Sequence, residues 1–213
     1  MILNLKEKRN LVINILDQLK ALTKNLTPPL IELIIRDYSR DPFLILISCL
    51  LSLRSRDTHT YKICKKLFSC ITTVQEFAHM NPEVLEKLIY GVNFYKKKAK
   101  ILVSVSKDLI ERFGGKVPDN KLDLLSIKGI GEKTANLVMA QAFAIQAIAV
   151  DTHVNKLSNL LGLVDTNNPV KIEKDLELIV PHNRWNDINY YFVIWGQNIN
   201  NPVFKEFNKI LKK

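Results

Sequence analysis

Apolar residues recur at spacings of three and four along almost the whole chain, which is the periodicity of α-helices that bury one face. The alternation of apolar and polar residues typical of a half-buried strand is nearly missing; residues 147–150 could be extended, but only briefly. Pro-Pro, Asp-Pro, Asn-Pro and Gly-Gly pairs divide the chain into segments of roughly 8 to 20 residues, the usual length of helices. The sequence therefore predicts an all-α fold of roughly ten helices.

The composition is that of a globular protein with a basic surface. Of the 213 residues, 47% are apolar and 24% are charged, which argues against a disordered or fibrous chain. The formal net charge of +10 favours a polyanionic partner such as nucleic acid. A genome that favours Lys codons would produce the same excess, so the charge alone leaves both interpretations open.

Nothing in the sequence indicates a membrane or secreted protein. The longest apolar run, from Phe43 to Leu53, is interrupted by two serines and is shorter than the ~18 residues of a membrane span. The first residues contain no apolar core of the kind that a signal peptide has. An odd number of cysteines suits a reducing cytosol better than a disulfide scaffold, so we expect a cytoplasmic protein. The three cysteines are Cys49, Cys64 and Cys70.

The segment with the clearest chemical content is a tight turn between two helical patterns. Gly129, Ile130 and Gly131 separate a pattern that ends near Ile127 from one that begins near Glu132. Two glycines around one apolar residue let the backbone turn sharply and leave its amides accessible. A helix N-terminus in addition favours an anion. The helix-hairpin-helix pattern thus predicts a unit that binds DNA phosphates without recognising bases, and a plain helix corner with Gly at the C-cap is the alternative.

Two titratable residues follow the turn. Lys133 lies in the first turn of the second helix, and Asp151 follows in the segment Val-Asp-Thr-His that begins at position 150. A Lys amine can act as a nucleophile and form a Schiff base. A carboxylate can accept a proton or balance positive charge that develops during a reaction. The alternatives are a solvated helix residue for Lys133 and a helix N-cap for Asp151, and the cap is compatible with catalysis.

Four motifs in the same order make the chain similar to the helix-hairpin-helix DNA glycosylases, specifically to the endonuclease III branch. They are LLSIKGIGEKTANLVMAQAFAIQAIAVDTHV, LLSLRSRD from Leu50, FYKKKA from Phe94 and GKVP from Gly115. The resemblance covers nearly the whole chain and implies two all-α lobes with a DNA-binding cleft between them. It implies a six-helix lobe over 39–131, which includes the start of the hairpin. The second lobe would join 1–38 to 132–213, with Lys133 and Asp151 at the seam.

The same resemblance implies a base-excision-repair DNA N-glycosylase with AP lyase activity, acting on oxidised pyrimidines in double-stranded DNA. Lys133 would be the nucleophile and Asp151 its acidic partner. Removal of 8-oxoguanine by the same pair is the alternative substrate class. A non-catalytic DNA-binding module is a further alternative, which would predict loss of the Lys or the Asp. We expect a monomer without membrane partners, which associates with the nucleoid through DNA binding.

An enzyme that extrudes a nucleotide must fill the gap that it leaves in the duplex. By the resemblance, Phe94 is the apolar wedge, with core packing as the alternative. Arg54 stands where the family has Gln, and because Arg only donates hydrogen bonds the opposite-base preference is left open. Asn93 replaces a family Gly, and Asn tolerates the left-handed conformation. The basic residues beside the wedge are predicted to contact phosphates rather than form a merely solvated face: Lys96, Lys97 and Lys98.

The end of the chain departs from the family pattern. Most endonuclease III relatives carry four cysteines, spaced C-x6-C-x2-C-x5-C, which hold a [4Fe-4S] cluster. By this alignment Asn200, Phe207 and Ile210 occupy the first three positions, and the sequence ends at Lys213 before the fourth. None of them can supply a thiolate, so we expect no iron-sulfur cluster and no other metal. A packed helix that includes Phe204 is expected in its place.

Overall fold

The computed structural model describes residues 3–212 of the chain. These residues form helices and no strand, which confirms the all-α prediction. Residues 147–150, the one candidate for extended structure, belong to neither a helix nor a strand. The α-helices are α1 (Leu5–Leu22), α2 (Leu30–Tyr38), α3 (Pro42–Ser52), α4 (Asp57–Phe68), α5 (Val74–His79), α6 (Pro82–Leu88), α7 (Tyr95–Phe113), α8 (Lys121–Ser126), α9 (Glu132–Phe143), α10 (Thr152–Leu160), α11 (Pro169–Ile179) and α12 (Trp185–Gln197). Short 3-10 turns cover His182–Arg184, Pro202–Phe204 and Phe207–Lys212.

Many helices begin with an Asn whose side-chain oxygen accepts a hydrogen bond from an amide of the first turn. Such a cap satisfies a backbone donor that has no partner inside the helix. At three of these starts a proline follows in the first turn, where its missing N–H costs nothing. The asparagine caps are Asn4, Asn81, Asn120, Asn168 and Asn201.

The chain divides into two compact units. One comprises Leu30–Ile145, and the other joins the chain up to Pro29 to the chain from Gln146 onward. These boundaries differ from the predicted lobes of 39–131 and 1–38 plus 132–213. The difference arises because α2 packs against α3 and α4, and α9 packs against α3, so that both helices belong to the unit that surrounds α3.

The unit Leu30–Ile145 is built around α3. Every residue from Phe43 to Leu51 is buried, as expected for a helix that is apolar on all sides. The helices α2, α4, α7 and α9 pack around it. Cys49 is 1% exposed, in agreement with its place in the apolar run. Among the described residues, no helix has the length and apolar character needed to cross a membrane.

The second unit contains α1, α10, α11 and α12. One face of α1 meets α11 and α12, and α10 packs on α12. The aromatic residues of α12 contribute to this core: Phe192 and Trp195 are fully buried, and Trp185 and Tyr191 are partly buried against the same cluster.

The last residues of the second unit pack by aromatic contacts. Phe207 lies with its ring 4.7 Å from that of Trp195, and Phe204 is fully buried beside them. Trp195 Nε1 donates to Asn208 Oδ1 at 2.8 Å. The prediction of packing is confirmed, but the expected helix consists of two 3-10 turns. The first of them begins at Pro202, behind an Asn201 cap.

Candidate active site

The hairpin lies between α8 and α9, where the sequence placed it. Ile127 and Ile130 are buried, and the Ile130 amide donates to the Ile127 carbonyl at 3.1 Å. Gly129 has a φ of +105°, and a Cβ at this position would lie 2.9 Å from Ile101 Cγ2. Gly131 has an ordinary φ, and a Cβ there would meet no atom within 4 Å. Gly129 is therefore required by the fold, whereas Gly131 faces open space.

The start of α9 has no side-chain cap. Its first helical bond runs from the Ala135 amide to the Gly131 carbonyl at 2.9 Å, so the amides of residues 132–134 have no acceptor within the helix. An ion pair between Lys121 and Glu132, 2.9 Å long, joins the two helices of the hairpin. The open amides and the helix dipole together favour an anion at this end.

Lys133 lies in this first turn and is half-buried. Its amine makes no hydrogen bond within the described part of its own unit. Burial raises the pKa of the Cys49 thiol to about 12, and the positive charge of Lys133 opposes this rise. The amine thus lies close enough to the buried middle of α3 for its charge to act there. It is carried by α9, which packs against α3.

Asp151 is the N-cap of α10, as the alternative interpretation predicted. Its Oδ1 accepts a hydrogen bond from the Val154 amide at 2.8 Å, whereas Oδ2 has no partner within the described part of its own unit. The segment before it is held by two asparagines of α12. Asn186 Oδ1 accepts from the Ala147 amide, and Asn189 Nδ2 donates to the Ala149 carbonyl, each at 2.9 Å.

A glycine of α12 brings the start of α10 close. The His153 ring lies so near Gly196 that a Cβ at this position would overlap it. Only Gly permits this approach, which fixes the first turn of α10 against α12. The sequence did not identify Gly196, because neither helix periodicity nor a turn motif marks a close contact between helices.

The candidate wedge is on the surface of the unit Leu30–Ile145. Phe94 is 61% exposed, so the alternative of core packing is wrong. Arg54 is also exposed, and its guanidinium carbon lies 5.9 Å from the centre of the Phe94 ring. Both residues have left-handed backbones, with φ of 55° and 58°. The left-handed conformation that the sequence allows at Asn93 occurs instead at the next residue, Phe94.

The three lysines beside the wedge differ. Lys96 and Lys97 are exposed, as phosphate contacts require. Lys98 is 6% exposed, and its ammonium donates to the carbonyls of Leu51 and Leu53, each at 2.7 Å. Because the ammonium is buried and hydrogen-bonded to these carbonyls, it does not face a DNA phosphate. This placement contradicts the prediction that Lys98 contacts DNA.

Sequence reasoning also missed a cavity of about 380 Å³ beside the wedge. Its walls come from four separate elements, so no motif or periodicity could have shown it. The residues around it are mostly apolar: Leu50, Leu53, Arg54, Phe94, Lys97, Lys98, Ile101 and Gly129.

The positions aligned with the family's cluster ligands do not fit an iron-sulfur cluster. Asn200 and Ile210 carry no sulfur, and Phe207 is buried against Trp195. The cysteines of the chain lie elsewhere, and Cys49 and Cys64 are buried in α3 and α4.

Comparison with known proteins agrees with this geometry. The family model described as HhH-GPD superfamily base excision DNA repair protein matches residues 47–182. An endonuclease III of Thermotoga maritima is 44% identical over 169 residues, which are 78% of this chain and 79% of that protein. An endonuclease III of Bacillus subtilis is 33% identical over 158 residues, 74% of this chain and 72% of the relative.

A solved structure gives the same result. A non-covalent endonuclease III–DNA complex has a TM-score of 0.81 at 28% identity, covering 96% of this chain and 99% of that one. The matched family segment contains the hairpin, Lys133 and Asp151. The chain therefore belongs to the HhH-GPD superfamily of base excision DNA repair proteins and resembles endonuclease III within it.

Proposed function

We propose that this DNA glycosylase and AP lyase removes oxidised pyrimidines from double-stranded DNA, with Lys133 as nucleophile and Asp151 as its carboxylate partner. The observation that carries the proposal is the uncapped start of α9, which presents open amides and an amine without a hydrogen bond in its own unit. The similarity to endonuclease III supports the oxidised-pyrimidine class.

The reaction follows from the chemistry of an amine at C1′. The neutral Lys133 amine attacks C1′, the damaged base leaves with the glycosidic electron pair and takes up a proton, and the opened sugar forms a Schiff base with Nζ. Loss of a proton from C2′ then breaks the C3′–O bond, and hydrolysis of the Schiff base frees the Lys. The Asp151 carboxylate balances the positive charge that develops at C1′ and can accept a proton.

Binding is divided between backbone and side chains. The Gly129–Ile130–Gly131 turn and the start of α9 hold a phosphate through amides, and Ile130 contributes by fixing the turn in the core. Lys96 and Lys97 contact further phosphates. Phe94 enters the base stack where the nucleotide leaves it, and Arg54 approaches the base that has lost its partner.

The enzyme works as a monomer on nucleoid DNA in the cytoplasm and without a cluster. The absence of sulfur at the three aligned positions supports this last part of the proposal. Iron analysis and a visible absorption spectrum of the purified protein test it. Bound iron together with a broad charge-transfer band would show that the assignment is wrong.

The decisive experiment is borohydride trapping on duplexes that carry thymine glycol, 8-oxoguanine or a bare abasic site. Lys133→Gln removes the amine, and Lys107→Gln, an exposed residue of α7, is the matched control for the loss of one charge. We expect a covalent adduct on thymine glycol that disappears in Lys133→Gln and persists in Lys107→Gln.

Other outcomes separate the alternatives. An adduct on 8-oxoguanine but not on thymine glycol would mean that the same residues act on the second substrate class. Trapping by Lys133→Gln would remove the nucleophile assignment. No adduct on any duplex would leave a monofunctional glycosylase or a DNA-binding module.

A further inference from the structure

Lys98 is a buried cation that the proposed reaction does not use. Its ammonium donates to the carbonyls of Leu51 and Leu53 at 2.7 Å and to Ser55 Oγ at 3.3 Å. These acceptors lie at the end of α3 and in the loop that follows it, where helix carbonyls lack partners and a cation is favoured. Burial lowers the pKa of Lys98 to about 8, which shows how far the charge is removed from solvent.

Asn93 makes a second connection between the same two loops. Its backbone amide donates to Ser55 Oγ at 3.1 Å, and its side chain donates to the carbonyl of Arg54. Ser55 Oγ thus accepts from both Lys98 and Asn93. The loop after α3 and the loop before α7 are held as one assembly.

The assembly places the side chains of Arg54 and Phe94 at the surface, where both are exposed. Arg54 and Phe94 each have a left-handed backbone, which residues with a Cβ adopt rarely and keep only where neighbours impose it. Their side chains contact each other across the two loops. The hydrogen bonds from Lys98 and Asn93 to Leu53, Arg54 and Ser55 join the two loops directly.

We propose that Lys98 is a positioning residue, which together with Asn93 joins Arg54 and Phe94 into a single wedge assembled before DNA binds. The inference rests on the proposed function, because it assumes that these side chains enter the duplex. An assembled wedge avoids the entropy of ordering two loops during nucleotide extrusion. Lys98 therefore matters for reactions in a duplex and not for the amine chemistry of Lys133.

The test compares an abasic site in duplex DNA with the same site in a single strand, where no gap has to be filled. Lys98→Met keeps an unbranched side chain, one atom shorter, and removes its three donors. Asn93→Ala, at an exposed position, removes the side-chain hydrogen bond to the Arg54 carbonyl of the same assembly. Lys107→Met on α7 is the control. The rate of borohydride-trapped adduct formation is measured under single-turnover conditions, with thermal melts of each variant.

We expect Lys98→Met to lower the duplex rate about a hundredfold, the size typical of a misplaced positioning group, and to leave the single-strand rate unchanged. Asn93→Ala should lower the duplex rate in the same direction by a smaller factor, and Lys107→Met should lower neither. If Lys98→Met does not fold at the assay temperature, Asn93→Ala decides. Equal losses on both substrates, or none on the duplex, would overturn the inference, whereas a wild type that forms no adduct would contradict the proposed function instead.

Discussion

The helices that carry the two proposed catalytic residues begin in opposite ways. The start of α9 has no side-chain cap, and the amides around Lys133 are open. The start of α10 is closed by Asp151 itself, whose Oδ1 accepts from the Val154 amide at 2.8 Å. An open start can receive a phosphate oxygen, while a closed start holds a carboxylate in one orientation. The two starts thus differ in one local feature: a side-chain cap fixes a carboxylate at α10, and its absence leaves the amides of α9 open.

Asp151→Asn removes the negative charge at the start of α10 and keeps the cap, because Asn and Asp cap helices equally well. We expect base excision to fall about 100- to 10,000-fold, the usual contribution of a proton-transferring group, with no change in melting temperature. Asp151→Ala should lose the same activity and, in addition, about 1 kcal/mol of stability. Single-turnover excision and thermal melts check both. Full activity of Asp151→Asn would mean that the carboxylate serves only as a helix cap.

Gly131→Ala tests whether the open start receives a phosphate. A Cβ at this position meets no protein atom, so folding should be unaffected, whereas DNA affinity should fall about tenfold if a phosphate approaches closely. Gly129→Ala is the contrasting change. Its positive φ and the contact with Ile101 should cost about 1–2 kcal/mol of unfolding free energy. Titration of a duplex with each variant, beside its melt, distinguishes them, and wild-type affinity in Gly131→Ala would place the phosphate elsewhere.

Neither helix start recognises the identity of a base. Arg54 is the candidate for contact with the base opposite the lesion, and Arg54→Gln tests this role. Arg offers donors only, so it favours an unpaired guanine, with acceptors at O6 and N7, over adenine. We expect the wild type to process a lesion opposite guanine roughly tenfold faster than opposite adenine, and Arg54→Gln to shift the ratio toward adenine. Rates on two duplexes that differ only in this base measure the effect. An unchanged ratio would mean that Arg54 does not contact it.

The sequence predicts those parts of the molecule that depend on residues near one another along the chain. The hairpin, the first turn of α9 and the buried α3 all follow from local patterns. The role of Lys98 does not, because three adjacent lysines are chemically alike and only their positions around α7 decide which one meets the carbonyls that end α3. The unit boundary at Ile145 likewise depends on the packing of α9 against α3, which no local signal announces.

The five asparagine caps within residues 3–212 affect how the protein encounters its substrate. An aspartate in each of these places would cap equally well but would subtract five charges from the formal net charge of +10. The fold is thus capped without weakening the long-range field that draws a polyanion toward the surface. Diffusional encounter with DNA should accordingly be fast at low ionic strength and slow steeply as salt is added. Replacing these asparagines by aspartates would slow association while leaving the helices intact.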